Sequence, residues 1–298
     1  MTQRLRVAIQ KSGRLSEKSI ALLTKCGLDF DLRKDRLIHQ CRDFPVDLMF
    51  VRDDDIPEYI SDGVCHLGIV GENVVLERKG LETAQGAAQR TVQKVLSLGF
   101  GACRLALAVP EEIEYRGLSQ LQGMRIATSY PNILSSFLRQ NGIQASLVEL
   151  GGSVEIAPGL KIADAICDLV STGGTLRSNG LKEVATVLES QAGLYGSSKT
   201  LSPVLAQDVE RLLQRINGVI AASQAKYIMM NAPSSALVKI QKILPGMEAP
   251  TVMPLGNGSD RVAIHAVARE AIFWETIENL KEVGASSILV LPIEKVVL

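Results

Sequence analysis

The sequence predicts an α/β protein: two similar lobes followed by a smaller module in which strands and helices run βαββαβ. Three observations predict it. Short apolar runs alternate with amphipathic helical patterns from the first residues onward, which is the rhythm of βαβ units and favours a largely parallel sheet. Only 4% of the residues are aromatic in a chain that is 46% hydrophobic, so the cores must be aliphatic, as buried strands are. At 298 residues the chain also exceeds one typical domain, and two or three are expected.

The elements follow in order. LRVAI (Leu5 to Ile9) reads as a strand. Ser16 caps a helix whose Ile20, Leu22, Leu23 and Cys26 share one side and whose stop is Gly27. VDLMFV (Val46 to Val51) and HLGIV (His66 to Val70) are strands, with DDIPEYISDG between them as a short helix closed by Gly63. A second unit opens at CRLALAV (Cys103 to Val109) and continues with MRIAT (Met124 to Thr128) and a helix from Pro131 to Asn141-Gly142. SLVEL (Ser146 to Leu150), AICDLV (Ala165 to Val170) and EVATVLES are further strands, and a long amphipathic helix runs from Pro203 to Ala225. Two such lobes leave a cleft between them.

The last stretch places strands at KYIMMN, TVMPL, RVAIHAV and SILVLPI, with helices at Pro233 to Lys242 and Glu270 to Val283, the ferredoxin-like order. The expected division is residues 1–100 and 181–225 for the first lobe, 101–180 for the second, and 226–298 for the C-terminal domain. Residues 81–98 and 192–203 read as variable.

Composition excludes several classes. With 32 basic and 32 acidic residues there is no positive surplus to neutralise a nucleic-acid backbone. No uncharged apolar stretch of about 18 residues occurs, so no membrane span is expected. The five cysteines (Cys26, Cys41, Cys65, Cys103, Cys167) are dispersed and never CxxC. Neither a zinc site nor a disulfide framework is indicated; Cys65, Cys103 and Cys167 read as small core residues, and reduced thiols without an apolar leader suit the cytoplasm. His39, His66 and His265 have no partners at ligand or triad spacing, and GxSxG and HExxH are absent.

The chemistry-bearing signal is DAICDLVSTGGTLRSNG (Asp164 to Gly180). A strand runs into Ser171, Thr172, Gly173, Gly174 and Thr175, then into a helix start. Converging amides and hydroxyls there suit an anion, although a tight turn needing glycine reads the same way. The Walker spacing and its lysine are missing, as is GxGxxG. Asp164 and Asp168 flank the strand's end and suit ribose hydroxyls or a shared Mg²⁺. In QKSGRLS, Lys11 and Arg14 stand at a helix start, where cations are unfavourable unless an anion joins them, and Gly13 allows close approach. Arg52 and Asp53 follow a buried strand, with Asp55 as cap or ligand; Glu72 in GEN and Ser129-Tyr130 in SYP also lie at strand ends, where open α/β sheets bind ligands.

The segment GSVEIAPGLKIADAICDLVSTGGTL (Gly152 to Leu176) resembles the signature of the ATP phosphoribosyltransferase family. QKSGRLS, VRDDDIP, LGIVGEN, CRLALA, RIATSYP and GASSILVLPIEK are similar to it as well, and the length matches the family's long form. The resemblance implies a periplasmic-binding-protein-like catalytic part with an ACT-like regulatory domain. It implies that N1 of ATP attacks C1 of phosphoribosyl pyrophosphate, with Mg²⁺, as the first step of histidine biosynthesis. Ser171, Thr172, Gly173, Gly174, Thr175 and Leu176 would hold the 5-phosphate and Asp168 would face the ribose. Glu155 would help hold Mg²⁺ or offset charge at the ribosyl carbon. Lys11, Gly13, Arg14, Arg52, Asp53, Glu72, Arg104, Ser129 and Tyr130 would serve ATP and pyrophosphate. Feedback by histidine would act around Asn231, Thr251 and Ala285, in dimers and hexamers. The competing reading, a two-lobed effector-binding protein without catalysis, shares this architecture but needs no phosphate-grade loops.

Overall fold

The computed structural model describes residues 3–33, 36–84, 92–244, 249–256, 258–269 and 274–296. The chain divides into two compact units, Met1–Ala21 with Leu28–Asp208, and Leu22–Gly27 with Val209–Leu298.

The first unit holds two sheets. Strands β1 (Leu5–Gln10), β2 (Ile38–Gln40), β3 (Val46–Val51), β4 (Leu67–Gly71), β5 (Val92–Ser97) and β11 (Ala192–Ser197) form one, in the order β2-β3-β1-β4-β11-β5. Strands β6 (Cys103–Pro110), β7 (Arg125–Thr128), β8 (Ser146–Glu149), β9 (Ala165–Val170) and β10 (Leu181–Ser190) form the other, in the order β10-β6-β9-β7-β8. Both sheets are mixed rather than largely parallel: β1 runs parallel to β3 and β4, but β11 is antiparallel to β4 and β5, and β6 to β9 and β10. The chain leaves the first sheet after β5, builds the second, and returns through β11.

That return moves one expected boundary. Residues 181–190, placed in the first lobe from sequence, pair with β6 and belong to the second sheet. The stretches read as variable contain β5 and β11, although 85–91 lie outside the described residues.

Alternation along β6 explains the second core. Leu105, Leu107 and Val109 face Ile126, Leu134 and Leu138, whereas Ala106 and Ala108 face Val154, Ile166 and Leu176. The sheet is therefore covered on both faces. In the first lobe, helix α2 (Ile56–Asp62) packs Ile56 and Ile60 against Ala8 and Val70. Gly68 allows this: a Cβ there would lie 2.4 Å from Ile56 Cγ2. Gly63 closes α2 with φ +79, as the sequence indicated.

Helix α1 (Arg14–Lys25) begins three residues earlier than a Ser16 cap implies, so Ser16 is a buried residue within it and not its cap. Asp55 occupies the cap position of α2 but its carboxylate makes no capping bond. Helices α3 (Glu72–Ala84), α4 (Pro131–Gln140) and the five-residue α5 (Gly174–Ser178) complete this unit. Cys65 and Cys167 are buried as predicted, but Cys103 is only half-buried.

Helix α6 (Pro203–Ser223) stops before Ala225, which opens β12 (Ala225–Pro233). The second unit then runs α7 (Leu237–Ile243), β13 (Thr251–Pro254), β14 (Arg261–Arg269), α8 (Trp274–Glu282) and β15 (Ser286–Pro292). Its sheet order β13-β14-β12-β15 is that of a split βαββαβ unit. The expected start of α8 at Glu270 lies outside the described residues. Ile228, Met230, Ile264, Ile240 and Leu280 form its core under the two helices.

Candidate active site

Polar loops collect at one rim of each sheet in the first unit. In the first lobe, β1 ends at Gln10 and α1 begins at Arg14, so Lys11, Ser12 and Gly13 are the whole connection. Gly13 takes φ +97 with open space around it, a conformation that a side chain would strain. The Lys11 amide donates to Val51 O at 2.8 Å, bringing this turn beside Arg52; the Lys11, Arg14 and Arg52 side chains are exposed. A cation in the first turn of a helix costs about 0.3–1 kcal/mol, which a bound anion would reverse.

In the second lobe, β9 ends at Val170 and the loop turns through Gly173 at φ +74 into α5. Leu176 is buried against Ile166 and Val170, and anchors the loop from below. Its hydrogen bonds use carbonyls: Arg104 Nη1 donates to Ser171 O at 3.4 Å, Arg177 Nη2 to Thr172 O at 3.4 Å, and Asn179 Nδ2 to Thr175 O at 2.9 Å. Among the described residues the hydroxyls of Ser171, Thr172 and Thr175 are not consumed by these bonds, and all three residues are exposed. That leaves donors facing outward, the property an anion cradle needs.

Asp168 sits on β9 just before this loop and accepts a 2.7 Å bond from the Leu169 amide. Burial, and secondarily the charge of Glu155, push its carboxyl above the usual carboxylate range. Glu155 lies in a single 3-10 turn, Val154–Ile156, so the two acids approach from separate segments. Among the described residues no cluster of three or more His, Cys, Asp or Glu side chains is arranged to hold a metal. Two mutually repelling carboxylates do fit a hard divalent cation that takes its remaining oxygens from substrate and water.

A cavity of about 360 Å³ joins the rims. Gln10, Arg14, Lys18 and Asp53 line it from the first lobe, and Cys103, Tyr130, Leu169 and Ser171 from the second. Tyr130 is held by Asn73, whose Nδ2 donates to the phenol oxygen at 3.0 Å. Burial pushes the Tyr130 phenol up, and the carboxylates of Asp53, Asp168 and Asp54 push it further, so the ring stays neutral. Asp54 itself is raised by burial and by its neighbours Asp53 and Asp55.

Several expected site residues are otherwise engaged. Glu72 pairs with Lys94 Nζ at 3.0 Å, and its neighbour Asn73 lines the cavity in its place. Arg104 forms a bidentate pair with Glu183, both bonds 2.5 Å, and so braces the Ser171 carbonyl instead of standing free. Ser129 Oγ donates to Leu150 O at 2.7 Å. Asp164 lies at the opposite end of β9 from the loop, held by Arg125 at 2.8 Å, an ion pair that lowers its pKa. His66 Nδ1 accepts the Arg6 amide and His39 bonds the carbonyls of Asp31 and Arg36; neither reaches the cavity. Sequence reasoning noted Asn73 only as part of GEN and passed over Lys18 and Glu183; Asn73 and Glu183 acquire their meaning from partners far along the chain, and Lys18 from lining the cavity.

In the second unit Asn231 pairs with Ser286, next to Ala285. Thr251 pairs with His265, which pairs with Met229, so Thr251 lies two strands and two residues from Asn231, about 12 Å away. Ala285 is 6% exposed and belongs to the core, leaving only its backbone for a ligand.

Comparison with known proteins bears on this site directly. The family model described as HisG, ATP phosphoribosyltransferase, matches residues 52–218, and that described as HisG, C-terminal domain, matches residues 222–295. The ATP phosphoribosyl transferase (HisG:HisZ) complex from Thermotoga maritima contains a chain 28% identical, with a TM-score of 0.57 over 72% of this chain and 98% of that one. The alkanesulfonate-binding protein SsuA from Xanthomonas axonopodis pv. citri is 15% identical, with a TM-score of 0.47 over 72% of each chain.

Proposed function

The chain belongs to the ATP phosphoribosyltransferase family and is a pentosyltransferase of histidine biosynthesis, and we propose that the cavity between its two lobes is where ATP and phosphoribosyl pyrophosphate meet. The observation that carries this reading is that Arg14 and Lys18 from one lobe and Ser171, the first residue of the phosphate loop, from the other line a single cavity, with Lys11 and the rest of the loop to Thr175 adjoining them in sequence.

The reaction asks little of a base. Adenine N1 already holds a lone pair, and attack on the ribosyl carbon needs two anions aligned, a leaving pyrophosphate stabilised, and positive charge tolerated at that carbon. A site with cations, amides and carboxylates but no histidine suits those needs. In this reading the Ser171–Thr175 loop holds the 5-phosphate through amides and hydroxyls. The half-buried Asp168 accepts from ribose hydroxyls, and Glu155, whose charge bears on Asp168, adds negative charge beside the ribosyl carbon. Lys11, Arg14 and Arg52 meet the pyrophosphate and triphosphate, and Tyr130, kept neutral, donates a hydrogen bond into the cavity. Mg²⁺, when bound through Asp168 and Glu155, would supply charge neutralisation for the leaving pyrophosphate.

The C-terminal unit is proposed to carry histidine feedback around Asn231. The spread of Asn231, Ala285 and Thr251 supports a site in which Thr251 reaches the ligand from a second copy of the chain, in keeping with a homo-oligomer. No described helix is long and apolar enough to cross a membrane.

One experiment tests the site. Pyrophosphate release and the ultraviolet absorbance of N1-substituted adenine are followed with ATP, phosphoribosyl pyrophosphate and Mg²⁺, for the native protein and Arg14→Ala. Loss of kcat/KM in the variant at unchanged melting temperature supports the assignment; unchanged kinetics places the triphosphate elsewhere.

A further inference from the structure

Helix α3 carries Asn73, Glu77 and Gly80 at spacing i, i+4, i+7, which puts them on one face. All three meet the same short segment of the other lobe. Asn73 donates to the Tyr130 phenol at 3.0 Å. Glu77 Oε1 accepts from the Asn132 amide at 2.8 Å and from Asn132 Nδ2 at 2.6 Å, and Oε2 accepts from the Ile133 amide at 2.9 Å. Gly80 lets the helices touch, since a Cβ there would lie 2.7 Å from Asn132 Cβ.

Helix α4 has no cap of its own. Its cap position is Tyr130, which makes no side-chain capping bond, and Pro131 follows. The free amides of its first turn are instead satisfied by a carboxylate rooted in the first lobe. Tyr130, the residue that lines the cavity, is thus fixed at both ends by α3: its hydroxyl by Asn73, its backbone by the turn that Glu77 grips. Asn73 is held in turn by Ser190 Oγ, which donates to Asn73 Oδ1 at 2.8 Å where the chain crosses back between the sheets.

We propose that Glu77 is a positioning residue for phosphoribosyl transfer: by capping α4 across the cleft it fixes the lobe spacing at which Tyr130 and the Ser171 loop face Arg14. This rests on the cavity being the site of reaction. It predicts a kinetic signature that a purely structural cap lacks. The cap stabilises one lobe angle, so its loss raises KM for both substrates and lowers kcat, because two anions held on different lobes lose alignment together.

The test compares Glu77→Gln and Glu77→Asp with Asp164→Asn, which breaks an ion pair within the second lobe only. Glu77→Gln is expected to lower kcat/KM by about 10- to 100-fold for both substrates, with Glu77→Asp intermediate and Asp164→Asn unchanged at a comparable drop in melting temperature. A melting temperature lowered by Glu77→Gln with kcat and both KM values unchanged would overturn the proposal and leave an ordinary cap. An inactive native protein would instead overturn the site assignment on which it rests.

Discussion

Replacing Gly173 with alanine isolates what the phosphate loop's shape is worth. Gly173 has φ +74, and an alanine held there pays about 1–2 kcal/mol for the left-handed conformation. The added Cβ would stand 3.1 Å from Arg177 Nη1, but that is the exposed end of a flexible side chain and moves aside. Strain is therefore the whole effect. The loop is exposed and is held by Leu176 and by side-chain bonds to the Ser171, Thr172 and Thr175 carbonyls, so it relieves the strain by shifting locally without loosening the sheet. A shift of 1–2 kcal/mol away from the binding shape leaves about one loop in 5 to one in 30 competent, and KM for phosphoribosyl pyrophosphate rises by that factor. Initial rates of pyrophosphate release at varied donor and saturating ATP give KM, and a thermal melt gives stability. A fall in melting temperature with KM unchanged would refute the reasoning, because it would mean that the φ +74 turn supports the fold and not the ligand.

The other predictions concern the same cavity and the C-terminal unit. Replacing Thr175 with valine removes one hydroxyl donor to a charged group and should weaken the donor substrate by about 1–3 kcal/mol, read as KM; unchanged kinetics would put the cradle elsewhere. Asp168 has its folded pKa raised by burial, so its ionisation costs stability at neutral pH. Asp168→Asn should therefore raise the melting temperature at neutral pH while lowering activity, and the gain should fade as pH falls through the raised folded pKa and the native carboxyl takes up its proton; a gain that grows with acid would contradict the sign. Ending the chain after Ala225 should abolish inhibition by histidine while pyrophosphate release persists, and inhibition that survives would move the effector site out of residues 226–298.

How much of this was readable depended on how local each cause was. β6 and β9 announced themselves through runs of Leu, Ala, Ile and Val, and Gly63 through the left-handed turn that only glycine takes easily. β11 did not: its sequence AGLYGS has two glycines and little β propensity, and it is a strand because β4 and β5 pair with it on both sides. The loop at Ser171 was legible because its amides and hydroxyls are its own. Arg104 was not, since its partner Glu183 is 79 positions away, and neither was Glu77, whose carboxylate reads as an ordinary helix surface until Asn132 is set 55 positions on. Asp164 misled for the same reason; proximity to the loop in sequence hid that a strand separates the two in space.

The path of the chain through β11 also sets an order of assembly. Strand β5 has β11 as its neighbour in the sheet, so until residues 192–197 exist it has nothing to hydrogen-bond, and β4 presents a bare edge. The second sheet, by contrast, is complete once residue 190 is made, since β6 to β10 are continuous in sequence. On a ribosome the later-encoded lobe therefore finishes first, and the earlier one waits with an open edge, the kind of surface on which nascent chains misassociate.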